Sequence, residues 1–67
     1  MSLNIDTAAY AASHKREPRG DGLWIFHGSD RAGRRYTFET GGTYTEARQR
    51  VRVWARERRL VALAVAP

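Results

Sequence analysis

The run from Thr43 to Arg59 constrains the fold of this chain more than any other stretch. It opens with Thr43 and Glu46, the spacing of a capping box, in which each residue binds the other's backbone N–H. Apolar residues then recur every three or four positions, on what would be one face of a helix: Tyr44, Ala47, Val51, Trp54 and Ala55. The pattern predicts a long amphipathic helix whose apolar face packs on another element.

Two strands are predicted before this helix. Residues 23–27 are rich in aromatic and β-branched residues, and both faces of the run are apolar, which is typical of a central strand. Residues 34–40 alternate, with aromatic side chains on one face and charged or polar ones on the other. Turn residues at 28–33 join the two runs, and Gly41-Gly42 is expected to end the second strand. Together they predict an antiparallel hairpin.

Residues 60–66 form a second apolar run after the helix. Its valines favour a strand, although a continued helix fits nearly as well. The predicted fold class is therefore α+β in the order ββαβ: a β-hairpin, one long helix and a C-terminal strand, with the helix packed on one face of a small sheet. A right-handed crossover would make the last strand parallel to one hairpin strand.

A chain of 67 residues has room for one core only. We assign residues 23–67 to a single small α+β domain. Residues 1–22 are predicted to be flexible or short-helical, with Asp6 as a candidate N-cap and a polar break before Pro18.

The composition argues against several classes of function. There are no cysteines and two histidines, so no metal or other cofactor is expected. No phosphate-binding loop, dinucleotide fingerprint or catalytic triad is recognisable, and His27 near Asp30 is better explained by packing or by a surface position. We therefore expect a protein that is not an enzyme. We expect it in the cytoplasm, because neither a signal peptide nor a membrane-spanning run is evident.

The net charge is +5, and eleven of the twelve basic residues are arginine. Guanidinium groups suit phosphates, so an anionic partner is one interpretation. A GC-rich coding sequence and a solvated charged face are the alternatives. The candidate nucleic-acid-binding residues are those on the hairpin and along one flank of the helix: Arg31, Arg34, Arg35, Thr37, Arg48, Arg52, Arg56 and Arg59.

Three runs carry a resemblance to a known family: residues 22–26 (GLWIF), 33–40 (GRRYTFET) and 43–47 (TYTEA). Residues 22–47 resemble the N-terminal arm-type DNA-binding domain of phage tyrosine recombinases. In that family a small sheet carrying a helix enters the major groove. The resemblance implies that Arg31, Arg34, Arg35 and Thr37 face DNA, with Arg48 and Arg52 near its backbone.

The leading hypothesis is a small basic DNA-binding regulatory or accessory protein, of the kind that phages and plasmids carry. The alternative is a protein-binding module or inhibitor, such as a phage-encoded blocker of a host defence complex, that docks on an acidic partner. RNA binding through exposed aromatic residues is a third hypothesis. Leu23, Ile25, Val61 and Val65 cannot all lie beneath one helix, so some of them must meet the N-terminal segment, a second copy or a partner. Our hypothesis is a homodimer through the open sheet face or edge.

Overall fold

The computed structural model describes residues 3–67. The fold is α+β, as predicted, but the order ββαβ with a single helix is wrong because a strand and a short helix precede the hairpin. The elements in chain order are β1 Ile5–Asp6, α1 Ala8–His14, β2 Asp21–Asp30, β3 Arg35–Thr43, α2 Tyr44–Glu57 and β4 Leu60–Val65.

The four strands form one mixed sheet in the order β1-β4-β2-β3. β2 lies inside the sheet, pairing antiparallel with β3 on one side and with β4 on the other. β4 therefore runs parallel to β3, with β2 between them. β1 adds two residues to the far side of β4, in parallel.

The N-terminal elements rest on a few contacts that the apolar pattern does not reveal. Ile5 pairs with Leu63, and the ring of Tyr10, buried in the core, lies 5.6 Å from that of Trp24. Asp6 is not the N-cap, which is Thr7, but its carboxylate accepts a hydrogen bond from the amide of Ala8 at 2.9 Å. One buried aromatic ring and a two-residue strand are enough to dock the segment.

The hairpin strands are longer than predicted because glycines continue both of them. Gly22 pairs with Gly42, and Leu23 pairs with Gly41. Gly42 has a φ of 115°, and a Cβ there would lie 3.2 Å from Oε1 of Glu46. The glycine therefore lets the strand run directly into the helix cap instead of ending before it.

α2 begins as predicted and ends two residues early. The side chain of Thr43 accepts from the amide of Glu46 at 3.2 Å, and the carboxylate of Glu46 accepts from the amide of Thr43 at 3.2 Å. Arg58 is the C-cap, and Arg59 has a left-handed φ of 56°. The expectation that Arg59 continues the helical stripe is therefore wrong, because the chain must turn there to bring Leu60 into the sheet.

The helices and the sheet enclose the core on one face. The largest fully buried side chains are those of Phe26 in β2, Val51 in α2 and Val65 in β4. The other sheet face is open, and Leu23 there is 65% exposed. Four apolar residues were not expected to fit together beneath one helix. Of these, Val65 is buried within the single chain, whereas Leu23 is exposed.

Candidate nucleic-acid interface

Asp30 organises the end of the sheet where the hairpin turns. Its carboxylate accepts from the backbone amide and the Nε of Arg34, at 2.9 and 3.0 Å, and from the hydroxyl of Tyr36 at 3.1 Å. Partial desolvation raises the pKa of Asp30, but these hydrogen bonds outweigh it and hold the pKa below its ordinary value. The carboxylate is therefore a fixed negative charge that holds one arginine of the loop.

Arg58 is a basic residue of this end that was absent from the predicted site. Its guanidinium lies 5.3 Å from the ring centroid of Tyr36 and 5.7 Å from that of Trp54. Trp54 and Arg58 are four residues apart, so the sequence spacing that places them on one helix face was available. The charge of Arg58 is held over two aromatic faces, and no carboxylate pairs with it among the residues that the structure describes.

The pairing of β2 with β4 joins the hairpin loop to the end of α2. Asp30 of β2 pairs with Leu60 of β4. The next residues beyond this pair, at the same end of the sheet, are Arg31 and Arg59. Both arginines are exposed. Two basic groups that are far apart in the sequence therefore meet at the same end of the sheet.

Three further arginines lead from this end along α2. Arg50 and Trp54 of α2 contact β3. Residues two positions apart point to nearly opposite sides of a helix. Arg48 and Arg52 therefore face away from β3. Arg56 continues the row and is exposed. Successive members lie roughly 6 Å apart along the helix axis. The predicted helical stripe is thus present for these three residues.

Arg48 and Arg52 are half-buried, and their Nε atoms are buried without a hydrogen-bond partner in the part of the chain described. Both lie near Tyr44: burial raises the pKa of its hydroxyl, the two guanidinium charges lower it, and the nearby Glu17 carboxylate raises it again. Partial desolvation strengthens the field of a charge because less water screens it. The charges of these two arginines are therefore screened by water less than those of fully exposed arginines.

We use the name arginine ridge for six residues that run from the helix flank to the hairpin loop: Arg48, Arg52, Arg56, Arg59, Arg31 and Arg34. Across residues 3–67 the ion pairs are Arg34–Asp30 at 3.0 Å and Arg50–Glu46 at 3.9 Å. Five of the six ridge arginines therefore lack a carboxylate partner there. Positive charge without an ion-pair partner therefore extends along the ridge in the part of the chain described.

The remaining two predicted site residues, Arg35 and Thr37, lie on the open face of the sheet. They border a shallow depression of about 580 Å³, and the Thr37 hydroxyl lies 3.4 Å from Nδ1 of His27. His27 and Asp30 are three positions apart on β2 and so lie on opposite faces, which separates that pair. The sheet register places three carboxylates on the open face beside the single arginine: Asp6, Asp21 and Glu39.

The described residues hold no group of three or more His, Cys, Asp or Glu side chains arranged to bind a metal ion. No helix among them is both long and apolar enough to cross a membrane. Comparison with family models, curated proteins and solved structures gave no match.

Proposed function

We propose that this chain is a small non-enzymatic nucleic-acid-binding module that contacts the backbone of duplex DNA through the arginine ridge. The observation that carries the proposal is the junction at the Asp30–Leu60 pair, which makes one basic surface out of the hairpin and helix arginines. Backbone binding needs several cations spaced along one surface and no shaped pocket. The ridge supplies that arrangement.

The charges of the two faces favour the ridge over the open sheet face. Arg35 shares the open face with three carboxylates, which would repel phosphates. The ridge contains one ion-paired arginine and five without a carboxylate partner among the described residues. In this proposal the duplex backbone therefore lies along α2 and the hairpin loop. The resemblance to the arm-type domain implies a sheet-face geometry instead, with Arg35 and Thr37 toward DNA.

The experiment compares two double variants with the same loss of charge. Arg31→Ala/Arg56→Ala removes one exposed arginine from each part of the ridge. Arg16→Ala/Arg19→Ala removes two exposed arginines from the segment before β2, at the opposite end of the sheet. Fluorescence anisotropy of a labelled mixed-sequence duplex measures the affinity of each at several salt concentrations.

We expect the ridge variant to bind at least about tenfold more weakly and to reduce the log–log salt slope by about 2, close to 0.9 for each lost phosphate contact. The control variant should change both quantities much less. Equal losses in the two variants would mean that only net charge matters and would contradict the ridge. An Arg35→Ala variant with a larger effect than the ridge variant would favour the open sheet face.

A further inference from the structure

The outer edge of β3 has backbone groups that point away from the sheet. The amide of Asp30 donates to the carbonyl of Arg34 at 3.0 Å, and the amide of Tyr44 donates to the carbonyl of Gly20 at 2.9 Å. Hydrogen-bonded pairs alternate along an antiparallel ladder. The even-numbered residues of β3 therefore direct their backbone N–H and C=O groups toward β2. The odd-numbered residues direct their N–H and C=O groups outward: Arg35, Thr37, Glu39, Gly41 and Thr43.

Side chains from α2 occupy one half of this edge. Nη1 of Arg50 donates to the carbonyl of Gly41 at 2.7 Å and to the hydroxyl of Thr40 at 3.1 Å. The amide of Thr43 donates to Glu46 in the capping box. The open half is therefore centred on Thr37, with Arg35 before it and Glu39 after it.

We propose that this half-edge pairs antiparallel with the same half-edge of a second copy of the chain, with Thr37 opposite Thr37 of the copy. Pairing with a copy about a twofold axis puts the middle residue of the open segment opposite itself. The outward N–H and C=O groups of three residues then meet those of the same three residues. Unpaired strand edges are ready surfaces for such strand addition.

The charges select the same register. With Thr37 on the axis, Arg35 lies opposite Glu39 of the copy, and Glu39 lies opposite Arg35 of the copy. Arg35 and Glu39 are both exposed, and neither has an ion-pair partner among residues 3–67. Directly opposite charges stabilise a strand pair, and like charges destabilise it. A shift of the register by two residues would lose both ion pairs.

The aromatic residues on the other face of β3 also fit this pairing. Tyr36 falls opposite Phe38 of the copy in non-hydrogen-bonded pairs, where side chains approach most closely. Both rings are only half-buried in the single chain, beneath the edge of Trp54. The row of ridge arginines on α2 faces away from β3, so the paired edge leaves that row exposed. The dimer is therefore compatible with a contact between DNA and the helix part of the ridge.

Sedimentation velocity across the micromolar range tests the proposal with charge-reversal variants. The wild type should dimerise, and Arg35→Glu alone or Glu39→Arg alone should weaken the dimer roughly tenfold or more, because each places like charges opposite in both symmetric pairs. The double variant Arg35→Glu/Glu39→Arg restores both pairs and should restore the dimer. An equimolar mixture of the two single variants should also dimerise.

Two further variants separate backbone pairing from charge and folding. Thr37→Pro removes an outward N–H, which a monomer tolerates on an edge strand, and should abolish the dimer while the far-ultraviolet circular dichroism stays native. Arg31→Glu makes the same charge change outside the edge and should leave the dimer intact. A wild type that stays monomeric at high micromolar concentration would overturn the proposal. A dimer that survives both single reversals and Thr37→Pro would do the same.

Discussion

Asp30 shows how one carboxylate controls both the shape and the charge of the hairpin end. It binds the backbone and side chain of Arg34 and the hydroxyl of Tyr36, whose ring carries Arg58. The sequence predicted a loop at residues 28–33, whereas β2 extends to Asp30. The hydrogen bonds of Asp30 to Arg34 and Tyr36 depend on the conformation of the shorter loop, which the sequence did not predict. Asp30 therefore fixes Arg34 at the ridge while offsetting part of its charge.

Asp30→Asn is expected to strengthen DNA binding while lowering the melting temperature. The substitution removes the negative charge nearest the ridge and releases Arg34, which should tighten binding by roughly twofold to fivefold at low salt. Fewer hydrogen bonds then hold the loop, so thermal unfolding should begin at a lower temperature. Anisotropy and thermal melts measure the two effects. Weaker DNA binding by a folded Asp30→Asn protein would contradict this role.

The acid limb of stability should depend on two carboxylates. Hydrogen bonds from the Thr43 amide and hydroxyl lower the pKa of Glu46 below its ordinary value of 4.5. The pKa of Asp30 likewise lies below its ordinary value of 3.8. Groups with a depressed folded-state pKa stabilise the fold above their ordinary pKa and lose that effect as the pH falls through the folded-state value.

We therefore expect the melting temperature to decrease as the pH is lowered below about 4.5. Part of this decrease should come from the protonation of these two residues. Melts of Glu46→Gln and Asp30→Asn from neutral pH to about pH 3 test this, because each variant should be less stable at neutral pH and less sensitive to acid. Acid limbs as steep as that of the wild type would exclude both carboxylates as its origin.

At the scale of elements, α2 was the most predictable part of the fold and the strand ends were the least. The capping box and the spacing of Val51 and Ala55 depend only on neighbours in sequence. The extension of β2 and β3 through glycines depends on cross-strand pairing, which local patterns do not report. The end of α2 was missed for a similar reason, since an arginine rather than a glycine adopts the left-handed turn at Arg59.

Gly28 of β2 lies against leucine side chains of β4 and leaves no room for a side chain of its own. A Cβ at this position would lie 2.5 Å from Cδ1 of Leu60 and 3.2 Å from Cδ2 of Leu63, two buried side chains. Gly28→Ala should destabilise the fold by about 1–3 kcal/mol through overpacking.

Gly22→Ala is the matched control, because a Cβ there meets nothing within 4 Å. Chemical denaturation of the two variants measures the difference in the free energy of unfolding. Equal stabilities would mean that Leu60 and Leu63 do not pack against Gly28 as described.

For the whole molecule, the sequence predicted the row of helix arginines better than it predicted where that row meets the hairpin. The helix row of Arg48, Arg52 and Arg56 followed from 3.6-residue periodicity alone. Their connection to Arg31 required the turn at Arg59 and the pairing of β4 with β2, both of which are tertiary features. The separation of Arg35 and Thr37 onto the opposite face likewise follows from strand register.

The salt dependence of duplex binding by the wild-type protein tests most directly whether the arginine ridge binds the DNA backbone. If the ridge arginines neutralise backbone phosphates, log Kd against log salt should be linear with a slope of magnitude about 4–5, near 0.9 for each contact. Mixed-sequence duplexes should bind with similar slopes, because phosphate contacts carry no sequence information. An absence of binding at low salt, or a slope near zero, would contradict the proposal that the ridge binds DNA. The arginines would then be a solvated surface or a contact for an acidic protein.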